Sequence, residues 1–314
     1  MLRRMNSGAH TPDQNAALAR SVTLLSVAMA LVLVIVKLAI WLVSGSVALM
    51  ASMADSGLDL VASSATFFAV RYAAAPPDAE HRYGHGKAEA FASLLQAGLV
   101  FASAALIGEE AIRRIIDPKP VVEETWALAV MGLSILLTAG LIAAQTRLLR
   151  RANSVAVSSD RTHYAADLAS NVIALAGIAA AGFLHLGILD AVAALLIASI
   201  LLWGAISVFR EASDQLLDHE LPDSARADIL SLVLKDPAVW DVHQVRTRAS
   251  GPIVHIQMHA DLDPELTLEA AHKIVVAAER RILEAFPAAD IIIHADPRGR
   301  AEPHGGAFAE TYEA

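Results

Sequence analysis

The chain has 314 residues, of which 55% are hydrophobic and only 18% charged, with no cysteine and a formal net charge of −9. Soluble domains carry about 25% charged residues, so this composition excludes a disordered or collagen-like chain and argues against an ordinary soluble enzyme. The negative charge argues against a nucleic-acid partner, and the missing cysteine excludes disulfides and thiolate metal sites.

Residues 1–19 form a polar N-terminal segment. Residues 20–212 contain six stretches with the length and apolar character of membrane helices. A hydrocarbon core about 30 Å thick needs about 20 such residues. The stretches are Val22–Val43 with Lys37, Val47–Val70 with Asp55 and Asp59, Ala90–Gly108, Thr125–Thr146, Thr162–Leu189 with His163, Asp167 and His185, and Ala191–Phe209, which a turn near Asp190 precedes. The first begins late and is long for a signal peptide, so it is read as a span. Lys37 is expected to snorkel toward the interface, and His185 to be structural. Six spans put both termini on one side. Arg3, Arg4 and Arg20, then Arg71, Arg82 and Lys87, then Arg147, Arg150, Arg151 and Arg161 lie on that side. The positive-inside rule makes it the cytoplasm, although Arg113, Arg114 and Lys119 oppose the trend.

Beyond Phe209 the pattern changes. Pro222–Lys235 reads as a helix, and Trp240–Arg248 and Ile253–Leu262 as strands about the turn Ser250-Gly251-Pro252. Leu266–Ala285 is an amphipathic helix, and Asp290–Ala295 is a short strand. Residues 213–297 are thus expected to form a two-layer α+β domain of order α-β-β-α-β, and residues 298–314 a disordered tail. The fold class is an α-helical membrane protein with six transmembrane helices plus a C-terminal cytoplasmic α+β domain. The charge divides the same way. Residues 1–212 hold fifteen basic and fifteen acidic side chains, whereas residues 213–314 hold nine basic and eighteen acidic, with seven of the twelve histidines. No phosphate loop, dinucleotide fingerprint or Walker motif is present, so transport here would not use ATP bound to the chain.

Ionisable groups inside a bilayer cost about 2.5–3.5 kcal/mol each on insertion scales and mark function by default. Asp55 and Asp59 share one face of the second span, and His163 and Asp167 share one face of the fifth. Together they offer three carboxylates and an imidazole, a set suited to a tetrahedral divalent ion such as Zn²⁺. The alternative is two interhelical hydrogen-bonded pairs that only hold the bundle together. Carboxylates must be ionised and the imidazole neutral to bind metal, and a histidine ordinarily titrates near pH 6.5, so such a site would exchange metal for protons. Two further groups are candidates. Asp78, His81 and His85 lie between spans two and three, where a solvated loop is the alternative. In the C-terminal domain stand His243, His255, His259, His272, His294 and Asp296, and spacing leaves open which of them bind.

The motifs Ala54-Asp-Ser-Gly-Leu-Asp59, His81-Arg-Tyr-Gly-His-Gly-Lys-Ala-Glu89, His163-Tyr-Ala-Ala-Asp167, Leu216-Leu-Asp218, Arg246-Thr-Arg-Ala-Ser-Gly-Pro252 and Ile291-Ile-Ile-His-Ala-Asp-Pro297 occur in this order. On these residues the chain resembles the cation diffusion facilitator family, and within it the bacterial zinc and ferrous-iron efflux pumps, over roughly residues 15–297. The resemblance implies a homodimer in the bacterial inner membrane, multi-pass, with a metallochaperone-like cytoplasmic domain. It makes Asp55, Asp59, His163 and Asp167 the transport site, and Asp78, His81 and His85 a loop site. His243, His259, His294 and Asp296 become a binuclear cytoplasmic site with His272 at the bridging position, and Lys87 and Asp218 a salt bridge at the dimer hinge. His255 has no ligand counterpart, and Ala295 stands where the relatives have a glutamine.

The function expected is secondary active export of divalent metal by proton antiport. Zn²⁺ is both transported and structural, Cd²⁺ and Fe²⁺ are further substrates, and the protein is not an enzyme. Metal in the acidic domains would hold the dimer together. The alternatives are a pump mainly for Fe²⁺ and a membrane-anchored metal sensor. A third, a metal-dependent hydrolase, lacks an open three-ligand site outside the membrane.

Overall fold

The computed structural model describes residues 12–44, 47–117, 125–149, 154–184 and 187–299. Some side chains inside the helices, Asp55 among them, are also outside the description. The expected N-terminal segment up to residue 11, His185, and the tail from residue 300 lie beyond the described residues.

The order is α1 (Pro12–Ser44), α2 (Val47–Ala73), α3 (Ala88–Ile116), α4 (Thr125–Leu149), α5 (Val155–Leu184), α6 (Gly187–Leu216), α7 (Asp223–Val233), β1 (Asp241–Ser250), β2 (Ile253–Leu262), α8 (Leu268–Ala285) and β3 (Ala289–Pro297). Two units form, one of Asp13–Asp214 and one that contains residues 215–299.

At 1.5 Å per residue, even α4, with 25 residues, is long enough to cross a hydrocarbon core. Among the described residues four segments combine that length with an apolar window: Ala17–Val43, Ala88–Arg113, Met131–Leu149 and Ala194–Leu216. The other two long helices, α2 and α5, carry the acids and the histidine. Burial in this unit is inverted. Ser63, Thr66, Ser93, Gln96, Gln145 and Asp160 are buried, while Leu58, Phe68, Phe101, Leu136, Ile200 and Trp203 are exposed. That is the pattern of a bundle whose outer surface meets lipid, where packing and interhelical hydrogen bonds hold helices together in place of a hydrophobic drive.

The helices outrun the apolar windows that announce them. α5 begins at Val155 rather than Thr162, and α6 already includes Asp190, which the sequence places in a turn. Hydropathy detects the lipid-facing length, whereas backbone hydrogen bonding continues through charged residues. Lys37 also departs from expectation. It is buried and its Nζ donates to Ser56 Oγ at 2.6 Å, so it turns inward to α2 instead of snorkelling.

The C-terminal unit is a three-stranded sheet of order β1-β2-β3, with β1–β2 antiparallel and β2–β3 parallel. Parallel neighbours need a crossover, which α8 supplies. Gly251 has φ +57° and Pro252 follows it, a pair that suits a two-residue hairpin turn. Thr267 caps α8, its Oγ1 accepting from the Ala270 N–H at 3.2 Å. Val254, Ile256, Met258, Ala260 and Leu262 of β2 face α7 and α8, where they pack with Ile229, Val233, Ala278 and Ile282. The odd-numbered residues of β2 therefore occupy the other sheet face, and these include His255, His259 and Asp261.

Candidate metal centres

The intramembrane centre joins α2 to α5. His163 Nε2 lies 3.0 Å from Asp59 Oδ1 and 3.6 Å from Asp167 Oδ2, and one ligand atom from each of the three residues falls within 4.8 Å of the others. His163 and Asp59 are buried. His163 Nδ1 is buried and makes no hydrogen bond among the described residues, and Nε2 is the nitrogen that addresses both carboxylates. Asp55 lies one turn before Asp59 on α2, and its side chain is outside the described residues. The start of α5 is tied to α3: Ser154 Oγ donates to Glu89 Oε2 at 2.7 Å.

The loop between α2 and α3 brings Asp78, His81 and His85 together. Asp78 Oδ1 accepts from the backbone N–H of His81 at 2.7 Å and of Glu80 at 2.9 Å. The His81 bond chiefly holds the Asp78 carboxyl below its ordinary range against a smaller, opposing desolvation. His85 Nδ1 lies 3.4 Å from the Ala75 carbonyl and Nε2 lies 3.2 Å from Asp78 Oδ2. A backbone partner on one ring nitrogen leaves the other to a ligand, the usual way a metal-binding imidazole is oriented. Tyr72 packs on His85 with ring centroids 4.4 Å apart, and Gly84 at φ +81° lets the chain turn back.

The third centre sits on the sheet face opposite the helices. Asp296 is buried among three imidazoles. Its Oδ2 lies 2.8 Å from His259 Nδ1 and 3.4 Å from His243 Nε2, and its Oδ1 lies 3.3 Å from His294 Nε2. The register pairs His259 with His243 on one side and His294 on the other. Between His243 and Arg246 the register shifts, and Gln244 takes φ +49°. This bulge lets His243 and Arg246, three apart, share the open face while Val242 and Val245 reach the core. His272 stands on α8, in the layer across the sheet, and joins none of these groups among the described residues. His255 pairs instead with Asp290, Nδ1 to Oδ2 at 3.0 Å.

Sequence reasoning missed Asp261 and Asp241, which group with His243. The even spacing of Asp261 from His259 was the available signal. It also missed Asp160, which lies outside the apolar window that defined the fifth span. Asp218 Oδ2 lies 3.1 Å from Arg248 Nη1, in the C-terminal unit. Lys87, in the N-terminal unit, immediately precedes α3. Arg298, at the start of the expected tail, still belongs to the domain: its N–H donates to the Leu262 carbonyl at 2.8 Å and its guanidinium lies 3.5 Å over the Trp240 ring.

Comparison with known proteins adds an independent line. Residues 23–217 match the family described as cation efflux transmembrane domain, and residues 221–298 that described as cation efflux protein, cytoplasmic domain. The chain is 39% identical over 272 residues to the protein of Shewanella oneidensis named cation-efflux pump FieF, covering 87% of this chain and 92% of that one. It is 36% identical over 285 residues to a protein of the same name from Yersinia enterocolitica, covering 90% and 94%. Among solved structures, the metal-bound C-terminal domain of the CzcD transporter from Thermotoga maritima aligns at 28% identity over 25% of this chain and 93% of that one, with a TM-score of 0.24.

Proposed function

This chain belongs to the cation efflux family, a family of membrane transporters that export divalent metal, and on that premise we propose that it carries Zn²⁺ out of the cytoplasm in exchange for protons. The transport site in this reading is Asp55, Asp59, His163 and Asp167. The observation that carries it is His163 Nε2, held 3.0 and 3.6 Å from carboxylates of two different helices inside a bundle whose outer surface is apolar. One imidazole with three carboxylates is a donor set that suits Zn²⁺, and Cd²⁺ with it. Fe²⁺ is the second substrate, since the set holds no thiolate to exclude a harder ion.

Exchange follows from the ligands themselves. Metal binds when the carboxylates are ionised and the imidazole is neutral, so its arrival expels protons and proton arrival expels it. Alternating exposure of the site to the two sides then couples the two flows. The copy number in this reading is two. The C-terminal domains carry the net charge of the whole chain, repel one another when empty, and close when cations occupy the cluster around Asp296. His272, in the other layer, serves a site completed by the partner subunit, and Lys87 pairs with Asp218 at the hinge. The protein sits in the bacterial inner membrane with both termini in the cytoplasm.

The test is transport in proteoliposomes that enclose a zinc-sensitive dye and a pH-sensitive dye. The wild type is expected to move zinc and protons in opposite directions, and Asp167→Ala to stop both. Zinc flux that persists undiminished in Asp167→Ala refutes the site, and zinc flux without a proton signal refutes the exchange. Substituting Fe²⁺ and Cd²⁺ in the same assay orders the substrates.

A further inference from the structure

We infer that Asp160 is the positioning residue of the intramembrane centre, a caged carboxylate that gathers α2, α3 and α4 onto α5 and thereby sets where His163 and Asp167 meet Asp59. The inference rests on the transport-site reading above and adds a residue to it.

Asp160 is fully buried. Its Oδ1 accepts from Gln96 Nε2 of α3 at 3.1 Å and from Ser63 Oγ of α2 at 3.4 Å, and its Oδ2 accepts from Gln145 Nε2 of α4 at 2.8 Å. The cage extends outward. Gln145 Nε2 also donates to Ser26 Oγ of α1 at 3.3 Å, Gln96 Nε2 to Thr66 Oγ1 at 3.0 Å, and Tyr164 Oη lies 2.7 Å from Ser63 Oγ. Side chains of five helices therefore join one network around Asp160, three of them donating to it from α2, α3 and α4 and α1 joining through Gln145. Inside a bilayer such polar clamps matter because lipid is as apolar as the helices and gives no hydrophobic drive to pack them.

Asp160, His163 and Asp167 are spaced i, i+3 and i+7, so they share one face of α5. Whatever fixes the rotation of α5 at Asp160 fixes it one and two turns later. The charge is part of the device. Hydrogen bonds to an ionised acceptor are roughly twice as strong as neutral ones, and every donor here is neutral. Among the described residues Gln96 Oε1 and Gln145 Oε1 are buried without hydrogen-bond partners, and an asparagine at 160 could donate to one of them. A cage built only to satisfy polar atoms would favour that amide, whereas this one presents its N–H groups to an acceptor-only carboxylate.

The experiment uses the full-length chain carrying His85→Ala, His243→Ala and Asp296→Asn, which take at least one ligand from each of the other groups, with Co²⁺ as the probe. Cobalt in tetrahedral surroundings absorbs intensely in the visible range. In this background Asp160→Asn is expected to raise the Co²⁺ dissociation constant at least about tenfold, the lower end of what disturbing the support around a metal site costs, and to weaken the tetrahedral bands. Gln145→Leu, which removes one donor and keeps the carboxylate, is expected to move both readouts the same way by less, and it carries the test if Asp160→Asn does not fold. Unchanged bands and affinity in the folded variants, with only a lowered melting temperature, overturn the inference and leave Asp160 a structural group. Asp167→Ala in the same background must erase the bands. If they survive it, the transport-site reading fails, a result distinct from any seen with Asp160.

Discussion

In the C-terminal unit the side chains hidden from solvent are Ile229, Val233, Ile256, Met258 and Ile282, whereas in the N-terminal unit Ser63, Thr66, Gln96, Gln145, Asp160 and His163 are hidden and large apolar groups stand outside. The contrast follows from the two solvents. Water drives apolar surface into a core. Lipid imposes no such penalty and instead favours polar groups that turn to the interior of the bundle. Each unit can then expose a metal-binding group only where its own logic permits. In the bundle the ligands lie in the interior. In the C-terminal domain they lie on the sheet face that the helices leave uncovered.

The largest expected effect lies in the bundle. His163→Ala removes the nitrogen between Asp59 and Asp167 and is expected to lower zinc flux by more than about a hundredfold in proteoliposomes, on the scale of losing a group that acts as a unit with its neighbours. Metal bound at the C-terminal cluster, counted by calorimetry, should stay the same. Loss of both signals together would show that the two centres are one cooperative system.

Next come paired apolar substitutions. Ile256→Ala empties part of the C-terminal core and is expected to cost about 2–5 kcal/mol there, read by chemical denaturation. Ile200→Ala, on the outer face of the bundle, should leave thermal stability in detergent nearly unchanged. Ile200→Arg sharpens the point, since a charge facing lipid costs about 2.5–3.5 kcal/mol on insertion scales and should cut the amount of protein recovered from membranes. Equal losses from Ile256→Ala and Ile200→Ala would contradict the assignment of that face to lipid.

A smaller effect is expected at the hub of the C-terminal cluster. Asp296→Asn removes the carboxylate shared by three imidazoles and should weaken metal binding there by tenfold or more, about the range for disturbing a ligand set. Flux should change only in its dependence on cytoplasmic metal concentration. An unaltered calorimetric titration would remove Asp296 from the cluster.

The smallest concerns the loop, which obeys neither burial rule. The N–H groups of His81 and Glu80 hold the Asp78 carboxyl low, so this turn's stabilisation is present above the ordinary carboxylate range and fades only as pH falls through the depressed value. Imidazole resonances of His81 and His85 should report one transition below pH 4, on that carboxylate scale. Asp78→Asn, which keeps Oδ1 as an acceptor, should abolish it. A transition that persists in that variant would place its origin elsewhere.

The parts legible from sequence are those with a short period. The four-residue spacing of Asp55 with Asp59 and of His163 with Asp167 gives a shared helix face, and the even spacing of His255 and His259 gives a shared strand face. What stayed hidden depends on which elements meet. Lys37 reads as an interfacial lysine until α1 places it against Ser56. Asp160 reads as a charge beyond the membrane until α5 proves to start at Val155 and three other helices close around it. His243 has no assignable face, because one unpaired residue at Gln244 reverses the alternation.

By itself the sequence determined that there are two units of opposite solvent preference, and that the few ionisable groups within the first lie on single helix faces, because hydropathy and helical or strand period are local properties of the chain. The tertiary structure alone decided that His163 turns one nitrogen to two carboxylates from different helices, that Asp296 lies among three histidines of three strands, and that Asp160 is enclosed rather than exposed. These outcomes are set by helix rotation and strand register, which come from contacts between residues far apart in the chain.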